Sequence, residues 1–172
     1  MSLVYTNNLR KANGYKKLKI IQPETPEAFI KFMDEWPEDK HIIIDVGGFD
    51  SNLNRAAIYI SDIIITPAVD RVTEMAGLYK FHQIIDELST KMKTDIKADI
   101  LLNDVSPTQK DFSVIEDLVD NLKHFNLMDT IIAHRADFYK SMEEGKGVTE
   151  IEGNSKAKKE LKQLIKEIKK RR

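Results

Sequence analysis

Two runs of three isoleucines, Ile42 to Ile44 and Ile63 to Ile65, constrain this chain more than any other feature. Each is strand-sized and β-branched. The first is closed by Asp45-Val-Gly-Gly and the second by Thr66-Pro67. Continuous apolar runs of this length fit strands buried on both faces, as in a parallel sheet. Between them Leu53, Ala56, Ala57 and Ile60 recur at helical spacing over residues 51–60. The stretch therefore predicts a strand-helix-strand unit.

The alternation continues. Met75, Leu78, His82 and Ile85 form a helical stripe over 74–89, ahead of a third run at 98–103. Phe112, Ile115, Leu118, Val119 and Leu122 predict a helix over 111–125, followed by a fourth run at 130–133. Upstream, Thr25 can cap a helix that opens with Pro26 and places Phe29, Phe32, Met33 and Trp36 on one face, and residues 17–22 suit a short strand. Strands separated by single helices predict an α/β fold of three layers, a mainly parallel sheet with helices on both faces. At 172 residues the chain suits one domain, 1–172.

Without cysteine there is neither a disulfide framework, a thiolate metal site nor a cysteine nucleophile. No apolar stretch approaches a membrane span and no basic-then-apolar leader opens the sequence, so the expectation is a cytoplasmic protein with no membrane partner. The formal charge of −1 hides an asymmetry. Residues 156–172 hold nine basic and two acidic side chains, a net +7 on a body of −8. Leu161, Leu164, Ile165 and Ile168 share one stripe there, which predicts a basic amphipathic C-terminal helix within 155–172. Its candidate phosphate contacts are Lys156, Lys159, Lys162, Lys166, Lys169, Lys170, Arg171 and Arg172; a merely solvated helix fits the same pattern.

In a parallel sheet, ligands bind beyond the carboxyl ends of the strands, a position expected for Asp45-Val-Gly-Gly, Thr66-Pro67, Asn103-Asp104 and Ala133-His-Arg135. A carboxylate on a rigid strand, followed by glycines that admit phosphate to the backbone, suits a Mg²⁺ ligand; Asp45 also fits a residue that only caps its turn. No Gly-x-x-x-x-Gly-Lys-Ser/Thr loop occurs, and Gly145-Lys-Gly-Val-Thr reads as a turn. His41, His82, His124 and His134 are scattered without ligand spacing.

The order of Ile42-Ile-Ile-Asp-Val-Gly-Gly48, Arg55-Ala-Ala, Ser61-Asp-Ile-Ile-Ile-Thr-Pro67, Gly77-Leu, Leu101-Leu-Asn103, Arg135-Ala-Asp-Phe-Tyr139 and Glu144-Gly-Lys-Gly-Val-Thr-Glu150 resembles the ParA/MinD-type partition ATPases, in particular the small plasmid ParA (ParF-like) proteins. The resemblance implies a P-loop NTPase-like fold truncated at its N-terminus, ATP and Mg²⁺ as cofactors, and a homodimer on nonspecific DNA in the nucleoid. It also implies a centromere-binding (ParB/ParG-like) adaptor. By the same resemblance Asp45 is the catalytic and metal-associated aspartate, Gly47 and Gly48 sense the γ-phosphate, Pro67 ends the following strand and Asn103 lies near the base. The family's phosphate loop has no counterpart here, so this chain alone is expected to bind ATP weakly or not at all. The alternatives are a non-catalytic ParA-like dimerisation or partner-binding module and, less well matched, an unrelated flavodoxin-like domain.

Overall fold

The computed structural model describes residues 3–171. Seven helices and four strands run in the order α1 (Leu3–Ala12), α2 (Pro26–Asp34), α3 (Asn52–Ile60), β1 (Ile65–Ala68), α4 (Val72–Met92), β2 (Ala98–Val105), α5 (Ser113–Asn121), β3 (Phe125–Leu127), β4 (Ile132–Ala133), α6 (Ala136–Glu143) and α7 (Lys156–Lys170). Every strand pairing is parallel. β1 lies along β2 with Ile65 opposite Asp99 and Ala68 opposite Leu102. β3 pairs with Ala98 to Ile100, and β4 with the far end of β2.

β2 organises both cores. Ala98, Ile100 and Leu102 face Leu78, Ile85 and Leu88 of α4 and Ile115 and Leu118 of α5, with Ile58 of α3 in the same cluster. Leu101 faces the other way, into a smaller cluster with Met128, Ile132 and Leu164, against which Leu161, Ile168 and Phe138 pack. The sheet thus carries helices on both faces, as the alternating pattern predicts. Asp104, in a left-handed conformation at φ 59°, is the extra residue of a bulge between Asn103 and Val105. That extra residue returns Val105 to the face of Leu102.

Local signals place several helices well. The Thr25 hydroxyl accepts the Ala28 N–H at 3.2 Å ahead of Pro26, and the Ser155 hydroxyl accepts the Lys158 N–H at 3.3 Å at the start of α7. α4 is longer than its stripe and stops at Lys93, which takes φ 52° as a C-cap. α5 is shorter than expected. The chain leaves it at Leu122, so that Phe125 joins the sheet instead of continuing the helix.

The 42–45 run is the main correction. It forms no strand, and neither do residues 17–22. Ile43 is 95% exposed, and Ile42 and Ile44 are half-buried. A strand exists only through its partner, and the free edge of β1 is poorly suited to supply one. The Asp99 N–H donates to the Ile64 carbonyl, so alternation turns Ile65 and Pro67 toward the opposite edge, where Pro67 has no N–H to give. The second isoleucine run pairs late, as Ile65–Ala68 and not 62–66, and Pro67 therefore lies inside β1.

Candidate functional site

Asp45, with no strand to carry it, lies exposed beside a cavity of about 360 Å³ lined by Leu3, Thr6 and Arg10 of α1, Leu18, Met142 and the 145–147 turn. Its side chain makes no hydrogen bond or ion pair among the described residues. The Gly47 and Phe49 carbonyls accept from Asn54 Nδ2 at 2.9 and 2.6 Å, which ties the glycine loop to α3. Gly48 is exposed, with nothing within 4 Å of where a Cβ would stand. Pro67 and Asn103 sit on neighbouring strands, near the carboxyl end of the sheet as expected. Asp45 instead borders the same cavity as α1, and Gly47 is tied to α3.

These residues do not fit a magnesium nucleotide. Mg²⁺ takes an octahedron of oxygens fixed by rigid supports, whereas Asp45 is a lone loop carboxylate, and no group of three or more potential metal-ligating side chains occurs among the described residues.

One wall of the cavity beside Asp45 is a long-range clamp that sequence spacing does not reveal. Arg10 donates to Glu150 through Nη1 at 2.6 Å and Nη2 at 2.9 Å, and to the Gly145 carbonyl at 2.9 Å. The Arg10 guanidinium, with the Gly147 N–H, holds the Glu150 carboxyl down at about 2. Gly145, at φ 71°, passes so close to α1 that a Cβ there would lie 2.4 Å from the Arg10 nitrogen. Lys146 covers the Tyr15 ring at 5.2 Å.

The strongest electrostatic feature is α7, because its charges are sorted by face. Glu160 turns inward, accepting the Ala133 N–H at 3.3 Å and Arg135 Nη2 at 2.7 Å. Seven residues on, Glu167 accepts the N–H groups of Asp129 and Thr130, both at 2.9 Å. Burial opposes the charge on Glu167, but hydrogen bonds from Thr130, Arg171 and the Asp129 backbone outweigh it and hold its carboxyl at about 2. With both acids turned to the sheet, Lys156, Lys159, Lys162, Lys166, Lys169 and Lys170 remain exposed on the rest of the helix.

Two expected contacts change. Arg171 turns back toward the sheet, donating to Asp99 at 2.7 Å and to Glu167 at 2.9 Å, so its guanidinium fastens the helix end while staying partly exposed. Ile165 lies 42% exposed among the lysines and not in the anchoring stripe, which consists of Ala157, Leu161, Leu164 and Ile168. Arg172 lies outside the described residues. At the bulge, His134 Nδ1 stands 2.7 Å from Asp104 Oδ1 on the exposed rim of the sheet. Among the described residues no helix is long and apolar enough to cross a membrane.

In comparison with known proteins, no family model matches the chain and no curated protein matches it.

Proposed function

We propose that the chain is a ParA/MinD-like partition body that holds DNA through α7, and that in this form it does not turn over ATP. The observation that supports the reading is the sorting of charge on α7: both glutamates are used up on backbone N–H groups of the 129–133 segment, leaving six lysines facing outward. A 15-residue helix is about 22 Å long, long enough to follow several phosphates. Lysines there act as point charges and read no bases, so binding is indifferent to sequence. Nucleoid association and a centromere-binding adaptor belong to the same reading, through the resemblance to the partition proteins.

Six phosphate contacts at roughly −0.9 each give a slope near −5 in log affinity against log salt, on the order of a thousandfold weakening between 50 and 200 mM. Fluorescence anisotropy with a labelled duplex measures it. Changing Lys162, Lys166 and Lys169 together to Gln should bring the slope to about −3. A slope equal to that of the unaltered chain would reduce α7 to a solvated helix. Substitution is a cleaner test than truncation after Glu167, which would also remove the Arg171 bonds to Asp99 and Glu167.

Calorimetric titration with Mg-ATP should give no micromolar binding, because Asp45 offers the metal one exposed carboxylate and the triphosphate no cradle. A second function follows from the 43–49 loop, where Ile43 is 95% and Phe49 68% exposed beside Val46. Apolar groups clustered on one loop suit a non-catalytic contact with a second copy or an adaptor. Sedimentation of the unaltered chain and of an Ile43→Asp, Phe49→Ser variant should show a dimer lost in the variant; a monomer in both would refute this second reading.

A further inference from the structure

His82 and Asp86 lie one turn apart on α4, above the point where the chain enters β3. His124, 2% exposed, fills that point. Both of its ring nitrogens meet oxygens that only accept: Nδ1 is 2.8 Å from the Ile96 carbonyl and Nε2 is 3.0 Å from Asp86 Oδ1. A neutral imidazole has one N–H and satisfies one of them, whereas an imidazolium satisfies both.

Asp86 also accepts Lys123 Nζ at 2.6 Å, and hydrogen bonds from Lys123 and His124 hold its carboxyl at about 2. From the 95–97 loop, Asp95 lies 3.7 Å from His124 Nδ1 and pairs loosely with Lys97 at 3.9 Å. His82 completes the group. Its ring centroid is 5.1 Å from that of His124 and 5.7 Å from the Phe125 ring, edge to face. Its Nε2 is buried and has no hydrogen-bond partner among the described residues.

We propose that the junction of α4 and β3 is an acid-sensitive latch, closed while His82 is neutral and loosened when a proton on His82 faces His124. A charged His82 would press a cation against the His124 ring, whose nitrogens are already taken up by Ile96 and Asp86, and would give a buried N–H nothing to donate to. Asp86 cannot fully compensate, since Lys123 and His124 already share it. Burial first, and His124 second, push the His82 imidazole below its ordinary 6.5.

The sign follows from linkage. An unfolded histidine titrates near 6.5 and the seated one lower, so the latch contributes its full stability above about 6.5 and loses it as pH falls toward the lowered value. The loss is at most about tenfold in the unfolding equilibrium per pH unit, for one proton.

The test uses the full chain. Ring-proton NMR titration from pH 8 to 5 should show His82 titrating below 6.5. Urea unfolding between pH 6.5 and 5.5 should lose up to about tenfold more in its equilibrium constant than in His82→Phe, which keeps a ring against Phe125 and cannot titrate. A His82 signal that titrates at or above 6.5 overturns the proposal, as does an identical pH dependence in His82→Phe. If that variant does not fold, the NMR titration of the unaltered protein decides by itself.

Discussion

Replacing Gly145 by Ala tests the packing of α1 against the 144–150 turn most directly. Two costs add at this position. The first is the backbone: φ is 71°, and an L side chain in the left-handed region costs about 1–2 kcal/mol. The second is contact, because the new Cβ would lie 2.4 Å from the Arg10 nitrogen, 2.8 Å from the Leu9 carbonyl carbon and 2.9 Å from the Arg10 Cα.

All three are backbone atoms, so no side chain can swing aside and α1 itself must move, at about 1–3 kcal/mol for overpacking. The sum is about 2–5 kcal/mol. It falls on the docking of α1, since moving the helix also stretches the Arg10 bonds to Glu150 and the Asn13 bond to the Glu144 carbonyl. Gly153 is the internal control. Its φ is 81° but nothing lies within 4 Å of a Cβ there, so Gly153→Ala should cost only the backbone part, about 1–2 kcal/mol. Urea denaturation of both variants, with amide hydrogen exchange along residues 3–12, measures the difference. Equal destabilisation of the two variants, with α1 amides protected as in the unaltered chain, would refute the argument that Gly145 is required for close approach.

Other outcomes follow from single side chains. Asp45→Ala should change stability by less than about 0.5 kcal/mol in thermal melts, because the carboxylate is exposed and has no partner among the described residues. Glu167→Gln should flatten the acid side of the stability curve: a carboxyl held at about 2 against an ordinary 4.5 contributes stability that is complete above about 4.5 and is lost as pH falls toward 2. Urea midpoints at pH 5 and pH 3 check this, and an equal drop in both proteins would show that Glu167 is not the group responsible. Arg10→Met should release α1 without unfolding the sheet, visible as rapid exchange confined to residues 3–12, because the guanidinium joins Glu150 and the Gly145 carbonyl and lies outside both hydrophobic clusters.

Elements with a local cause were legible from residue order. α2, α4 and α7 follow from apolar stripes and, for α2, from the Thr25 cap, and the alternation of β-branched runs with helices implied a parallel sheet covered on both faces. α1 was not legible, because the side it buries is polar, Thr6, Asn7 and Arg10, and periodicity of apolar residues cannot report it. The 42–45 run shows the opposite failure. Its isoleucines have every strand preference, yet a strand is defined by hydrogen bonds to a neighbour that lies elsewhere in the chain, and none pairs with it among the described residues. The same reason separated Asp45 from Asn103 as a candidate site. Which charges on α7 face outward depends on packing, since Glu160, Glu167 and Arg171 turn toward the 129–135 segment and Asp99. Tertiary structure likewise joined Arg10 to Glu150 and His82 to His124, contacts across 140 and 42 positions of sequence that depend on how the layers pack and leave no mark in local spacing.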